Sequence, residues 1–303
     1  MRYQFQFSPY RRPFKVPLQT HHGIWSVREG IIIQLRNSDN QLYLGEIAPL
    51  ADFGSENLAQ ALDFCQSLGS IVDLPIITTI PDSLPACQFG FESAFFLGEI
   101  SPLSPQSYSY LLPTGKKAVE VINQQRDRGY KTYKWKIGVQ DFKIESSVFK
   151  QLVSQLPENA QLRLDANGGL SFDEAKRWLS LADEVGKIEF IEQPLPPERF
   201  FDLFRLTEEF KTAIALDESV SSLPQLQQCY EQGWRGIYVI KAAIMGSPTK
   251  LQNWIQTHPI DVVFSSVFET RIGRQAVLKL AQELHNPNRA LGFGVEQWFE
   301  DSV

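Results

Sequence analysis

The chain has 303 residues, of which 43% are apolar and 21% are charged, a composition typical of a globular protein with a sizeable core. Its formal net charge of −6 argues against nucleic acid or an anionic membrane surface as the main partner, because both attract clustered Lys and Arg. A small anionic substrate in a local basic pocket stays compatible with this charge.

The cysteines and the hydrophobic runs indicate a cytoplasmic protein. Cys65, Cys87 and Cys229 lie far apart and form no CxxC pair, so we expect neither a disulfide framework nor a cysteine-based zinc site. Residues 1–7 alternate polar with apolar side chains, unlike the continuous apolar segment of a signal peptide. No apolar run is long enough to cross a bilayer, so we expect no membrane partner.

The first part of the chain has the pattern of a small α+β domain. Alternating apolar and polar residues predict the strands of antiparallel hairpins in three segments: 3–7, 30–35 and 41–47. Helix-like apolar spacing follows in the segments 55–68 and 87–97. We predict an N-terminal domain over residues 1–100, joined by part of the C-terminal tail.

The second part of the chain, residues 101–303, reads as repeated βα units, because short apolar strands alternate with longer amphipathic segments. The segment 172–185 illustrates the helices, with Ser171 as a candidate N-cap and Gly186 just past the end. Eight strands are predicted: 108–112, 132–137, 161–165, 188–192, 213–217, 236–241, 260–265 and 290–293. This number indicates an α/β barrel.

Three acidic residues, Asp165, Glu192 and Asp217, each follow an apolar run and precede a turn. Taken alone, each is more typical of a helix cap or a surface charge. Their spacing is close to one βα unit, so successive barrel strands would bring the carboxylates together at the C-terminal mouth, where barrel enzymes have their active sites. Crowded carboxylates raise one another's pKa values, which calls for a hard divalent cation. Mg²⁺ is the natural candidate, with Mn²⁺ as a substitute.

Lysines flank these acids on both sides. Period two places Lys134 and Lys136 on one face of their strand and Trp135 on the other, and Lys241 ends the predicted strand 236–241. A strand-end lysine alone is usually a solvated charge. Here the lysines would face each other across the metal, an arrangement suited to removing a proton α to a carboxylate.

This set of residues resembles the enolase superfamily, muconate-lactonizing subgroup, in which a Lys-x-Lys strand accompanies Asp, Glu and Asp metal ligands and a further lysine. All six positions match: Lys134, Lys136, Asp165, Glu192, Asp217 and Lys241. Within the subgroup the chain is most similar to the o-succinylbenzoate synthase family. Four segments carry that similarity: 28–30, 45–50, 162–167 and 264–266.

The resemblance implies a (β/α)7β-type TIM barrel whose N-terminal α+β domain caps the mouth, with the loops 20–24 and 50–54 excluding water. It also implies a lyase that dehydrates a small anionic cyclohexadiene carboxylate, 2-succinyl-6-hydroxy-2,4-cyclohexadiene-1-carboxylate, to 2-succinylbenzoate. This step leads toward menaquinone or phylloquinone. The oligomeric state is left open.

The same resemblance implies a role for each matched residue. The three acids would bind Mg²⁺. Lys136 would take the α-proton and help hydroxide to leave as water, Lys241 would stabilise the enediolate or act as acid/base partner, and Lys134 would tune Lys136. Four residues are expected to contact the substrate: Arg163, Asn167, Ser265 and Ser266. The two serines could instead cap the following helix.

Two other functions fit the six residues. An N-succinylamino-acid racemase, dipeptide epimerase or cycloisomerase of the same subgroup would keep all of them. A non-catalytic metal-dependent binding protein would keep the barrel, but it has no need for Lys136 and Lys241 at a metal site.

Overall fold

The structure, a computed structural model, describes residues 1–20, 23–96, 100, 103–125 and 128–299. In chain order its strands and helices are β1 (Arg2–Thr20), β2 (Gly23–Arg36), β3 (Leu42–Ile47), α1 (Leu58–Ser67), β4 (Ile71–Asp73), α2 (Leu74–Thr78), α3 (Pro85–Ser93), β5 (Tyr108–Leu111), α4 (Lys117–Gln125), β6 (Thr132–Lys136), α5 (Phe142–Gln155), β7 (Gln161–Asp165), α6 (Phe172–Val185), β8 (Ile188–Glu192), α7 (Phe200–Glu209), β9 (Ile214–Leu216), α8 (Leu223–Glu231), β10 (Ile237–Ile240), α9 (Pro248–Thr257), β11 (Asp261–Phe264), α10 (Arg271–Leu284) and β12 (Leu291–Gly294). In the described part of the chain, no helix has the length and apolar character needed to span a membrane.

The N-terminal strands form an antiparallel sheet of order β3-β2-β1-β4. The β1–β2 hairpin is much longer than predicted, and it pairs Gln4 with Arg36 at one end and Thr20 with Gly23 at the other. Proline at positions 9, 13 and 17 interrupts the alternation that would reveal β1. Proline is tolerated on the edge of a sheet, and β4 pairs only with residues 2–4 of β1, so most of that side of β1 is an edge.

Helix α3 begins earlier than the predicted segment 87–97, at Pro85, and residue 97 lies outside the described residues. Its buried positions run almost all the way round the helix, which weakens the apolar periodicity on which the prediction depended. Buried Glu56 accepts hydrogen bonds from the backbone N–H groups of Ala86 and Cys87, at 2.9 and 2.8 Å, and so satisfies the start of the helix.

The eight remaining strands form a parallel sheet of order β11-β10-β9-β8-β7-β6-β5-β12, and a bridge between Ser265 and Gly292 closes it. Seven helices, α4 to α10, connect these strands, so the predicted (β/α)7β barrel is confirmed. Every predicted barrel strand is present to within one residue at each end. The domain boundary near residue 100 stays a prediction.

Helix α6 shows why the barrel helices were predictable. The Ser171 hydroxyl accepts the N–H of Glu174, the Glu174 carboxylate accepts the N–H of Ser171, and Gly186 adopts a left-handed conformation with φ of 66°. The face at positions 175, 178, 179 and 182 is buried, as the spacing of an amphipathic helix requires.

A buried carboxylate on β3 joins the antiparallel sheet to the barrel. Glu46 accepts the backbone N–H groups of Thr270 and Gly273, each at 2.9 Å, at the start of α10. It also accepts the Tyr10 hydroxyl at 2.5 Å. A side chain of the N-terminal sheet thus accepts hydrogen bonds from backbone N–H groups in the first turn of α10, which have no partner within the helix. These bonds fix the sheet relative to the barrel mouth.

Candidate active site

The six side chains singled out in the sequence lie at the C-terminal ends of five adjacent barrel strands. They are Lys134 and Lys136 on β6, Asp165 on β7, Glu192 on β8, Asp217 directly after β9 and Lys241 directly after β10. The strand register places Asp165 beside both Lys136 and Glu192. Trp135 points the other way and packs against Trp178 outside the barrel. The structure therefore brings the six polar groups together at one mouth.

Ion pairs connect these groups. The Lys134 Nζ atom lies 2.9 Å from Asp165 Oδ2 and 2.6 Å from Glu192 Oε1. The Lys136 Nζ atom lies 3.2 Å from Asp165 Oδ2, and Lys241 contacts the carboxylate of Asp217. Strands β6 and β10 are separated by three strands in either direction round the barrel, so Lys136 and Lys241 approach the mouth from opposite sides.

The electrostatics show that the site is short of positive charge. Burial raises the pKa of Glu192 to about 8, with the charge of Asp165 adding to the shift and Lys134 opposing it. Burial also raises the pKa of Asp217, despite the neighbouring Lys241. At Asp165 burial is outweighed by Lys134 and Lys136, which hold its pKa below the ordinary value. The positive charges of the three lysines thus do not fully compensate the negative charges of the buried carboxylates.

The donor set fits a hard divalent cation. Asp165, Glu192 and Asp217 supply carboxylate oxygens that are almost completely buried, with unmet demand for positive charge. Within the described ranges, no three acidic, histidine or cysteine side chains already surround one point closely enough to hold a metal ion. The ammonium group of Lys134 instead lies between Asp165 and Glu192. These two carboxylates therefore converge on a single cation, as ligands of Mg²⁺ must.

Asn167 holds the Lys136 side chain. Its Oδ1 atom accepts from Lys136 Nζ at 2.5 Å, and its Nδ2 atom donates to Glu218 Oε1 at 3.0 Å. Its backbone is left-handed, with φ of 45°, and its N–H donates to Asp165 Oδ1 at 3.1 Å. Asn167 lines the pocket, as expected for a substrate contact, and it also positions the lysine. Glu218 was not singled out in the sequence.

Gln193 is a second residue that sequence reasoning missed. Its side-chain oxygen accepts the backbone N–H groups of Asp217 and Ser219, at 2.9 and 3.1 Å, and its Nε2 atom donates to the carbonyl of Leu195 at 2.8 Å. The fully buried amide thereby fixes the turn that carries Asp217. A polar residue directly after Glu192 was the available signal, but its partners depend on a left-handed turn, with φ of 38°.

A pocket lies above the six groups, with about 610 Å³ of space not filled by protein atoms, part of it open to solvent. Two apolar walls enclose it, which we call the cap wall (Leu50 and Phe53) and the barrel wall (Val267 and Phe268). The Phe53 ring lies 4.3 Å from Lys241 Nζ, so the cap wall touches the polar groups. The predicted cap loop 50–54 thus lies over the mouth, whereas residues 21–22 of the other predicted cap loop lie outside the described residues.

Ser265 and Ser266 line the pocket on the barrel side. The Ser266 hydroxyl donates to Glu269 Oε2 at 2.9 Å and accepts the N–H of Phe268 at 2.9 Å, so it also shapes the barrel wall. The residue that caps α10 is Thr270. The alternative interpretation of the two serines as the helix cap is therefore wrong.

The expectation that Arg163 contacts the substrate is corrected. Arg163 is on the same face of β7 as Asp165 but two residues earlier, which is roughly 7 Å lower in the barrel. Its side chain is 1% exposed, its Nε atom binds Glu189 Oε2 at 2.7 Å, and its guanidinium stacks over Phe190. Glu189 also binds Arg289. These residues fill the barrel interior, and Arg163 does not reach the pocket.

Comparison with known proteins gives consistent matches along the chain. Residues 117–302 match the family model described as enolase C-terminal domain-like, and residues 4–97 match the MenC N-terminal domain. The chain is 41% identical to the o-succinylbenzoate synthase of Thermosynechococcus vestitus, over 97% of this chain and 93% of that protein. It is 26% identical to the o-succinylbenzoate synthase of Pasteurella multocida, over 95% of this chain and 88% of that protein.

Solved structures of similar fold agree with these sequence matches. The o-succinylbenzoate synthase of Thermosynechococcus elongatus BP-1, complexed with Mg in the active site, superposes with a TM-score of 0.88 at 39% identity, covering 98% of this chain and 94% of that chain. The L-Ala-D/L-Glu epimerase of Bacillus subtilis superposes with a TM-score of 0.84 at 18% identity, covering 99% and 91%. The second likeness shows a shared fold alone.

Proposed function

The chain belongs to the o-succinylbenzoate synthase family of the enolase superfamily, and on this premise we propose that it dehydrates 2-succinyl-6-hydroxy-2,4-cyclohexadiene-1-carboxylate to 2-succinylbenzoate with Mg²⁺. The observation that carries the proposal is the convergence of three buried carboxylates and three lysines at one barrel mouth, below a pocket with apolar walls. We place the reaction in menaquinone or phylloquinone biosynthesis in the cytoplasm. The three cysteines are all free and buried, which supports a reducing compartment.

We assign Asp165, Glu192 and Asp217 as the Mg²⁺ ligands, or Mn²⁺ ligands when that ion substitutes. The bound ion supplies Lewis-acid stabilisation of the negative charge that develops on the substrate carboxylate. The raised pKa values of Glu192 and Asp217 support the assignment, because a cation placed there would satisfy the demand for positive charge that the lysines leave.

Lys136 is the residue we assign to proton transfer. Asp165 and Asn167 hold its Nζ atom at the pocket, where it takes the α-proton and returns a proton to the departing hydroxide, which leaves as water. The cyclohexadiene ring gains its third carbon–carbon double bond and becomes aromatic, so the step needs no oxidant. Lys134, bound to two of the carboxylates, tunes this lysine from the neighbouring position.

Lys241 acts from the other side of the pocket, as stabiliser of the enediolate or as acid/base partner. It contacts Asp217 and lies below the Phe53 ring. Burial lowers the pKa of Lys241, but the nearby carboxylates of Asp217 and Glu218 outweigh this effect and raise the pKa above its ordinary value. These contacts favour the ammonium form, which suits electrostatic stabilisation of an anion.

The decisive experiment follows 2-succinylbenzoate by its ultraviolet absorbance as purified protein turns over the cyclohexadiene substrate with Mg²⁺. We expect product formation that a chelator stops and added Mg²⁺ restores. The matched control is Lys136→Ala, which should stay folded without turnover. Folded, Mg²⁺-loaded protein that forms no product would overturn the proposed substrate.

A second candidate is racemisation of an N-succinylamino acid, favoured by the position of Lys136 and Lys241 on opposite sides of the barrel. Racemisation requires each lysine to remove or deliver the α-proton on its own face. Exchange of the α-proton for deuterium, measured by nuclear magnetic resonance on each enantiomer, detects this activity directly. Exchange in one enantiomer alone would exclude it.

A further inference from the structure

The two walls of the pocket are tied together by a buried arginine that does not line the pocket itself. Arg28, on β2, is 4% exposed. Its Nε atom donates to the carbonyl of Val267 at 2.8 Å, Nη1 to that of Pro49 at 2.8 Å and Nη2 to that of Ala48 at 2.6 Å. A further bond runs from Nη1 to the carbonyl of Glu29 at 2.6 Å. One guanidinium thus binds two separate loops.

These two loops carry the residues that face the substrate. Ala48 and Pro49 lead directly into the cap wall, and Val267 is itself part of the barrel wall. Trp25, three residues before Arg28, lies between the walls, with its ring centroid 6.1 Å from that of Phe53 and 6.2 Å from that of Phe268. The distance between the walls therefore depends on the anchor behind them.

Arginine suits this position for a geometric reason. Its planar guanidinium offers five N–H donors in a fixed fork, so it can donate in several directions at once. The ammonium group of a lysine is a single point on a flexible stem and cannot reach both loops with the same geometry. By contrast, the six polar groups of the site are fixed by the barrel strands and do not depend on this anchor.

We propose that Arg28 is a positioning residue that sets the separation of the cap wall and the barrel wall, and thereby the affinity for the substrate. The inference rests on the proposed function for the identity of that substrate. Because the reacting groups stay in place when the walls loosen, loss of the anchor raises KM and leaves kcat nearly unchanged.

The test compares wild-type protein, Arg28→Lys and the matched control Arg289→Lys. Arg289 binds Glu189 and Asp261 near the N-terminal ends of β8 and β11, away from the pocket. In Arg28→Lys we expect KM for the cyclohexadiene substrate to rise at least about tenfold, or about 1.4 kcal/mol, with kcat within about threefold. The control should lower Tm with KM unchanged. An unchanged KM in Arg28→Lys, or an equal rise in both variants, overturns the proposal.

Hydrogen exchange tests the same anchor without turnover, so a failure of the proposed function stays distinguishable. In Mg²⁺-loaded wild-type protein the backbone amides of Leu50 and Phe268, both hydrogen-bonded to side chains, should have protection factors within about threefold, because the walls open as one unit. In folded Arg28→Lys the protection factors of both amides should fall at least about tenfold, whereas those of the amides in α6 should stay unchanged. A loss of protection confined to one wall in the folded variant overturns the proposal. Wild-type protection factors that differ more than about tenfold between the two amides also overturn it, and this result does not depend on whether the variant folds.

Discussion

The affinity of the site for Mg²⁺ should rise steeply with pH, because one carboxylate holds a proton when the metal is absent. Burial and the charge of Asp165 raise the pKa of Glu192 to about 8, and a carboxylate must be deprotonated to bind a metal. With that pKa, about 1% of Glu192 is ionised at pH 6 and about half at pH 8. The apparent dissociation constant of Mg²⁺ should therefore fall about 50-fold over this interval.

Calorimetric titration of metal-free protein with Mg²⁺ at several pH values measures this dependence. Repeating each titration in buffers of different ionisation enthalpy gives the number of protons released, which should approach one at about pH 7 or below. Glu192→Gln is the matched control, since its amide keeps the size of the side chain but cannot titrate. That variant should bind Mg²⁺ more weakly and lose the contribution of this proton to the slope. A dissociation constant that varies less than about threefold in wild-type protein, with no proton release, would refute the reasoning.

The raised pKa of Glu192 also determines how the stability of the metal-free protein changes with pH. Because the pKa of Glu192 is higher in the folded state than its ordinary value of 4.5, the folded chain binds this proton more tightly than the unfolded chain does. The resulting stabilisation is complete below pH 4.5 and is lost as the pH rises through about 8. The Tm of metal-free protein should show this loss across that interval, and saturating Mg²⁺ should offset it. A metal-free Glu192→Gln variant whose Tm has the same pH dependence as wild type would contradict the assignment to this residue.

Three further predictions concern single side chains. Lys136→Ala should lower kcat by at least about 10³-fold while circular dichroism and Mg²⁺ titration stay normal, and near-normal turnover would remove it as the base. Lys241→Arg keeps a cation opposite Lys136 but supplies no base, so any racemisation measured by deuterium exchange should disappear while dehydration is reduced less; equal losses would contradict this division. Glu46→Ala should lower the free energy of unfolding in urea by about 3 kcal/mol, because the N–H groups of Thr270 and Gly273 lose their buried acceptor, and a change below about 1 kcal/mol would show that water replaces it.

The barrel and the polar groups at its mouth were predictable because both depend on local pattern. A buried strand is a short apolar run, and its C-terminal end is marked by the polar residue at which the run stops, as at Asp165 and Glu192. The spacing of βα units then brings these ends to one mouth. Arg163 was assigned to the site from its face of the strand alone, whereas the rise along β7 places it roughly 7 Å below the mouth.

The orienting roles of Asn167 and Gln193 could not be predicted from sequence, although Asn167 was singled out as a substrate contact. Asn167 and Gln193 act through left-handed backbone turns, with φ of 45° and 38°, and non-glycine residues seldom adopt this conformation. Their partners, such as Glu218 after β9, come from the ends of other strands and are set by the closed barrel. The long β1–β2 hairpin escaped prediction for another reason, since its prolines are acceptable only where a strand lies at the edge of a sheet.

The architecture separates the groups that perform chemistry from those that select the substrate. Lys136, Asp165 and Glu192 are held by ladder hydrogen bonds of the barrel, whose central strands are buried on both faces, and Asp217 is held by the side-chain amide of Gln193. The cap wall and the barrel wall lie on loops, and Arg28 and Glu46 fix those loops to the N-terminal sheet. Substitutions in the walls should therefore shift substrate preference at little cost to proton transfer, whereas substitutions at the strand ends should abolish turnover of every substrate alike. Specificity in this chain is thus a property of how the N-terminal sheet and the barrel meet, and Arg28 lies at that junction.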